Sequence, residues 1–201
     1  MSEAAPVVLY LHGFNSSPDS RKAQQFKSFC ESRSRASVVV PALPPHPAAA
    51  MALLRRLVAD SRPQLLVGSS LGGFYATALA EAFGLKAALV NPAVEPCKHL
   101  GEAFIGPQRN LYTGEEWEFT RADAAALLAM TLPALQHPER FLVLLQTADE
   151  VLDYRHAVDY YRGAELRVQE GGSHAYDDFA AVLPEICAFG GLQLVEPNEH
   201  Q

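Results

Sequence analysis

Residues 67–74 read Val-Gly-Ser-Ser-Leu-Gly-Gly-Phe, directly after the apolar pair Leu65-Leu66. The pattern G-x-S-x-G fits this stretch in one register only, with Gly68 and Gly72 flanking Ser70. For Ser69 to be central, glycines would be needed where Val67 and Leu71 stand. The stretch predicts a strand that turns sharply into a helix and holds the Ser70 hydroxyl out as a nucleophile on a strained turn. The glycines fit because a Cβ at either position would meet neighbouring backbone. The plainer alternative is a Gly/Ser-rich connection with no chemistry, and the rest of the chain has to decide between them.

Outward from this turn, short β-rich apolar runs (7–11, 37–40, 64–67, 86–90, 141–146 and 165–168) alternate with segments of helical spacing. The helical segments are 20–33, 48–60, 72–83, 154–162 and 177–189, with Pro184 expected to break or restart the last. Most runs are continuously apolar, as strands buried on both faces should be. The alternation implies an α/β fold with a parallel sheet covered by helices on both faces. One interval, 91–140, breaks the rhythm. Its first half is rich in Gly, Pro and aromatics, and its second half opens with the capping-box pattern Thr120-Arg-Ala-Asp123. An insertion this long predicts a small cap over the sheet edge, with a helix at about 121–130.

The chain has 201 residues, 49% of them hydrophobic and 19% charged. That predicts a single domain over 1–201. A net charge of −7 without any basic run argues against nucleic acid as a partner. No apolar run is long enough to span a membrane, and the N-terminus lacks the positive segment of a signal peptide. Three widely spaced cysteines show no metal-ligand spacing, so no metal or cofactor is expected, and a reducing cytoplasm is the natural compartment. Nothing in the sequence bears on oligomeric state.

A serine hydroxyl needs a base. Of the seven histidines, His174 follows the last predicted strand across Glu170-Gly-Gly-Ser-His174, which places it on a loop at the same sheet edge as Ser70. The base in turn needs a carboxylate. Asp149 comes first after the run 141–146. Asp153, a turn further on, is its rival and also reads as a helix cap, and Glu150 is a weaker candidate. Acyl transfer also needs donors for a tetrahedral oxyanion. The backbone N–H of Leu71, directly after Ser70, and that of Phe14, beside Gly13, are the candidates. His12 ends the first strand and reads as a structural residue. Asn15 and, from the cap, Leu100, Phe104, Ile105, Tyr112, Trp117 and Phe119 are candidates for the substrate pocket. Lys98, Arg109 and Arg121 read as solvated surface.

The segments Leu9-Tyr-Leu-His-Gly-Phe-Asn-Ser-Ser-Pro18, Val67-Gly-Ser-Ser-Leu-Gly-Gly-Phe-Tyr75, Leu89-Val-Asn-Pro-Ala93, Asn110-Leu-Tyr-Thr-Gly114, Leu145-Gln-Thr-Ala-Asp-Glu-Val-Leu-Asp-Tyr154 and Gly171-Gly-Ser-His174 resemble those of the α/β-hydrolase superfamily. More narrowly, they resemble the small bacterial YqiA/YcfP-like esterase family. The resemblance covers nearly the whole chain. It implies a trimmed parallel sheet of about six strands in the order 2-1-3-4-5-6, and a triad of Ser70, Asp149 and His174. It further implies cleavage of a small-molecule carboxylic ester or acyl thioester, without a cofactor. One departure is Ala148, where glycine is expected, which is tolerable unless that position requires positive φ. The same constellation on this fold also serves amide, lactone and carbon–carbon hydrolysis, and an inactive binding or regulatory protein is the alternative of a different class.

Overall fold

The structure is a computed structural model that describes residues 5–99 and 104–195. Six parallel strands form the central sheet in the order β2-β1-β3-β4-β7-β8, which is the order the resemblance implied. They are β1 (Val7–Leu11), β2 (Ser37–Val39), β3 (Leu65–Ser69), β4 (Lys86–Val90), β7 (Phe141–Gln146) and β8 (Glu165–Gln169). Each central strand is apolar at successive positions because it feeds two cores. Val8, Tyr10, Leu65, Val67, Ala88, Val90, Leu142 and Leu144 face one side. Their alternates Leu9, Leu11, Leu66, Ala87, Leu89, Val143 and Leu145 face the other.

The first core is closed by α1 (Arg21–Arg33) and α7 (Phe179–Phe189). The second is closed by α2 (Pro47–Ser61), α3 (Leu71–Phe83) and α6 (Tyr154–Tyr160). Pro184 does not break α7, contrary to expectation. The hydrogen bond it forfeits would have gone to the carbonyl of Ala180, an exposed residue whose oxygen water can serve. Ser20 sits at the N-cap of α1, but its side chain makes no capping bond.

Between β4 and β7 lie the short α4 (Pro96–His99), an antiparallel pair β5 (Gly106–Arg109) and β6 (Glu116–Phe119), and α5 (Arg121–Met130). The helix begins at the predicted capping box, with Thr120 Oγ1 accepting from the Asp123 amide and Asp123 returning the bond to the Thr120 amide at 2.8 Å. The hairpin was not legible from the apolar pattern. Asn110 closes its turn by accepting the amides of Tyr112 and Thr113. Among the described residues no helix is long and apolar enough to cross a membrane.

Candidate active site

The parallel sheet brings the ends of β1, β3, β4, β7 and β8 to one edge. The β3–α3 turn adopts the strained geometry that its sequence predicts. Ser70 sits at φ 54° and ψ −123°, outside the ordinary regions for a residue with a Cβ. Its backbone is held from both sides: its amide donates to Val90 at 3.1 Å, and its carbonyl accepts the amides of Gly73 and Ala93. A Cβ on Gly72 would land on the Leu11 carbonyl oxygen, and one on Gly68 on the carbonyl of Gly72. Glycine at these two positions is what lets strand, turn and helix pack this tightly. Ser69 is the last residue of β3 and is buried, whereas Ser70 is partly exposed at the sheet edge.

His174 reaches this turn from the loop after β8. Its Nε2 lies 3.1 Å from Ser70 Oγ. Its Nδ1 lies 2.8 and 3.0 Å from the two carboxylate oxygens of Asp149. The Asp149 side chain is almost fully buried. Burial opposes its ionisation, but bonds from the His174 ring and from the amides of Leu152 and Val151 outweigh that cost and hold its pKa below the ordinary carboxylate value. The two rival carboxylates are engaged elsewhere. Asp153 caps α6 and pairs with Arg155. Glu150 accepts the backbone amide of His174 at 2.9 Å and so steadies the loop rather than the ring. Ala148 is not among the positive-φ residues, so alanine there is unstrained.

His12 is a structural residue. Its Nε2 accepts the Leu43 amide and its Nδ1 faces the Gly13 carbonyl, which together fix one neutral tautomer. Burial lowers its pKa, against the pull of the Gly13 carbonyl. Beside it, the β1–α1 loop comes so close to the elbow that a Cβ on Gly13 would stand 3.3 Å from that of Ser70. Neither the Phe14 amide nor that of Leu71, the first residue of α3, has a protein acceptor among the described residues. Asn15, at φ 50°, ties this loop to the cap hairpin. It accepts from Trp117 Nε1 at 2.8 Å and donates to Gln108 Oε1 at 3.0 Å, while the Leu111 amide reaches its carbonyl.

Two chambers open from the Ser70–His174 pair. One, of about 190 Å³, is apolar and lies under α5 and β6, lined by Leu71, Phe104, Phe119, Ala124, Leu127 and Leu152. The other, of about 780 Å³, lies between the His174 loop and the N-terminus of α1. Of the pocket residues expected from sequence, Phe104 and Phe119 line the apolar chamber. Tyr112 is instead half-exposed at the rim of the larger one. Trp117 turns away to bond Asn15 and to pack edge-on against His46. Leu100 lies outside the described residues.

Two buried amide side chains that the sequence reading passed over set the His174 loop. Gln146 ends β7 and is fully buried. It accepts the amides of Ser173 and Asp177 and donates to the Asp177 carbonyl and to Gln169. Asn91 directly follows β4, donates to the Ser173 carbonyl and accepts the Gln146 amide. The available signal was a single amide residue closing each of two apolar runs. Replacing Gln146 by Leu keeps the volume but leaves the part-buried Ser173 and Asp177 amides without their acceptor. At roughly 1–3 kcal/mol per orphaned group, the variant should lose about 2–6 kcal/mol of stability, read by urea unfolding. An unchanged midpoint would show that the network does not hold the loop.

Residues 7–191 match the family described as "Uncharacterised protein family (UPF0227)". A UPF0227 protein of Shewanella sp. (strain ANA-3) is 28% identical over 192 residues, covering 91% of this chain and 98% of that one. Among solved structures, a putative hydrolase from Agrobacterium vitis S4 superposes with a TM-score of 0.74 at 19% identity, covering 92% of this chain and 88% of that one. Est1E from Butyrivibrio proteoclasticus, with ferulic acid bound, superposes with a TM-score of 0.67 at 14% identity, covering 94% and 89%. Likeness at these identities is one of fold, and that fold is the α/β-hydrolase fold.

Proposed function

From a chain that belongs to the UPF0227 family and folds as an α/β-hydrolase, we propose a serine hydrolase that cleaves carboxylic esters or acyl thioesters through an acyl-enzyme. The observation that carries this reading is the continuous bonded line from Ser70 Oγ through His174 to the buried Asp149.

In this reading Ser70 Oγ bonds to the substrate carbonyl carbon as its proton passes to His174 Nε2. Asp149 orients the ring through Nδ1 and stabilises the imidazolium. The carbonyl oxygen becomes the oxyanion and takes the Phe14 and Leu71 amides. Its collapse breaks the carbon–oxygen or carbon–sulfur bond, and His174 returns the proton to the departing alkoxide or thiolate. Water then gives a proton to His174 while its oxygen bonds the acyl carbon. Breakdown of this second adduct restores Ser70 Oγ–H and releases the acid. The protonation cycle closes on groups present in the chain.

The test is turnover of p-nitrophenyl butyrate and of a butyryl thioester by wild type and by Ser69→Ala. Both proteins should hydrolyse at least one of the two substrates, because Ser69 lies in β3 and not on the turn. Folded wild type that turns over no ester, thioester, amide or lactone would contradict the proposal. Loss of turnover in Ser69→Ala alone would contradict the register.

A further inference from the structure

The first tetrahedral adduct on Ser70 carries two substituents besides the serine oxygen and the oxyanion: the acyl chain and the departing group. The structure offers each a separate chamber, and the two differ in chemistry. This inference rests on the serine-hydrolase reading and extends it to the substrate. We propose that the substrate divides at the scissile bond into a short apolar acyl group and a polar, hydrogen-bonding alcohol or thiol.

The assignment of chamber to substituent follows from the proton path. The departing atom receives its proton from His174 Nε2, so it leaves on the side of the His174 loop. Ala175, Tyr176 and Asp177 of that loop form one wall of the larger chamber. Opposite them stand Ser20, Lys22 and Gln25 of the α1 end. Lys22 spends one donor on the Ala175 carbonyl at 2.9 Å and retains others. Arg21 and Lys22 share the same space with Glu150, Asp177 and Asp178, so charges of both signs line it. Such a wall offers donors and acceptors together, which suits a hydroxylated group better than an ion of one sign. The buried Tyr10 hydroxyl lies beside Ser69 at the chamber's base.

The acyl group is left with the apolar chamber, which includes Leu71 of the oxyanion pair. Its volume limits the chain. At about 30 Å³ per water-sized group, a chamber of about 190 Å³ takes roughly six such groups, which is a short aliphatic chain or one aromatic ring. Leu127 is buried and Ala124 half-buried, and both come from α5. The cap helix therefore sets the length limit.

The test uses p-nitrophenyl esters from acetyl to dodecanoyl. For wild type, kcat/KM should rise roughly fourfold per methylene up to about hexanoyl, then fall from decanoyl onward. Ala124→Phe should lose at least tenfold more kcat/KM on hexanoyl than on acetyl. Leu127→Ala, which enlarges the chamber, should move the optimum to longer chains and keeps the test open if the first variant misfolds. For the departing side, 1-monobutyrin should exceed octyl butyrate in kcat/KM by at least tenfold, since both release primary alkoxides. A dodecanoyl optimum, equal losses across all chain lengths, or a preference for octyl butyrate would overturn the proposal. Labelling of Ser70 by phenylmethylsulfonyl fluoride in the same samples separates the two readings. Labelled enzyme with no length limit overturns the chamber assignment alone, whereas wild type that neither labels nor turns over any ester overturns both.

Discussion

Ser70→Ala is expected to lower kcat/KM by a factor on the order of 10⁴–10⁶, leaving only the residual rate supplied by binding and oxyanion donors. The loss should come without unfolding, because alanine occupies the same backbone and, among the described residues, the Ser70 hydroxyl bonds only His174. Ser70→Gly sharpens the result. At φ 54° and ψ −123° the serine carries backbone strain, and glycine relieves strain of about 1–3 kcal/mol. The glycine variant should therefore be more stable than wild type and as inactive as the alanine variant. Stability gained by deleting a side chain at the cost of all turnover is what a strained nucleophile predicts. A mere turn residue would show no loss of activity.

Asp149→Asn should cost roughly 10³–10⁴ in kcat, since the amide cannot support the imidazolium and presents a donor where an acceptor is needed. Asp153→Asn should change kcat by only a few fold. Asparagine caps a helix as well as aspartate does, and the exposed Arg155 pair is a weak one. Equal losses in the two variants would reopen the choice of acid. Asp149 also links stability to pH. Because folding lowers its pKa, the native state binds that proton less tightly than the unfolded chain does. Its contribution is present above the ordinary carboxylate range and fades as pH falls through the folded value.

The alternation of apolar runs with helical segments was legible because a doubly covered parallel strand must be apolar on both faces, and residues 141–145 show this most plainly. Ser70 was legible because the glycines permit one register. His174 and Asp149 were placed at the correct edge by strand order, but the distance that separates Asp149 from Asp153 exists only in three dimensions. The hairpin 106–119 was hidden by its own composition. Gly106-Pro-Gln-Arg109 is a poor strand sequence, and it is held by Asn15 and Ser16, which lie far away in the chain. The apolar chamber beside Ser70 was the least legible part. Its walls come from the β3–α3 turn, the loop after β7 and α5, so aromatic content in one segment pointed to only Phe104 and Phe119 among its lining residues. Gln146 and Asn91 escaped notice because a single amide at a strand end carries no periodic signal.

The most direct measurement is intact mass and peptide mapping after treatment with a fluorophosphonate, which phosphonylates only a serine activated by a neighbouring base. One adduct per chain is expected, located on Ser70, retained in Ser69→Ala and strongly slowed in His174→Ala. Folded wild type that takes up no adduct, or an adduct on Ser69 instead, would contradict that expectation.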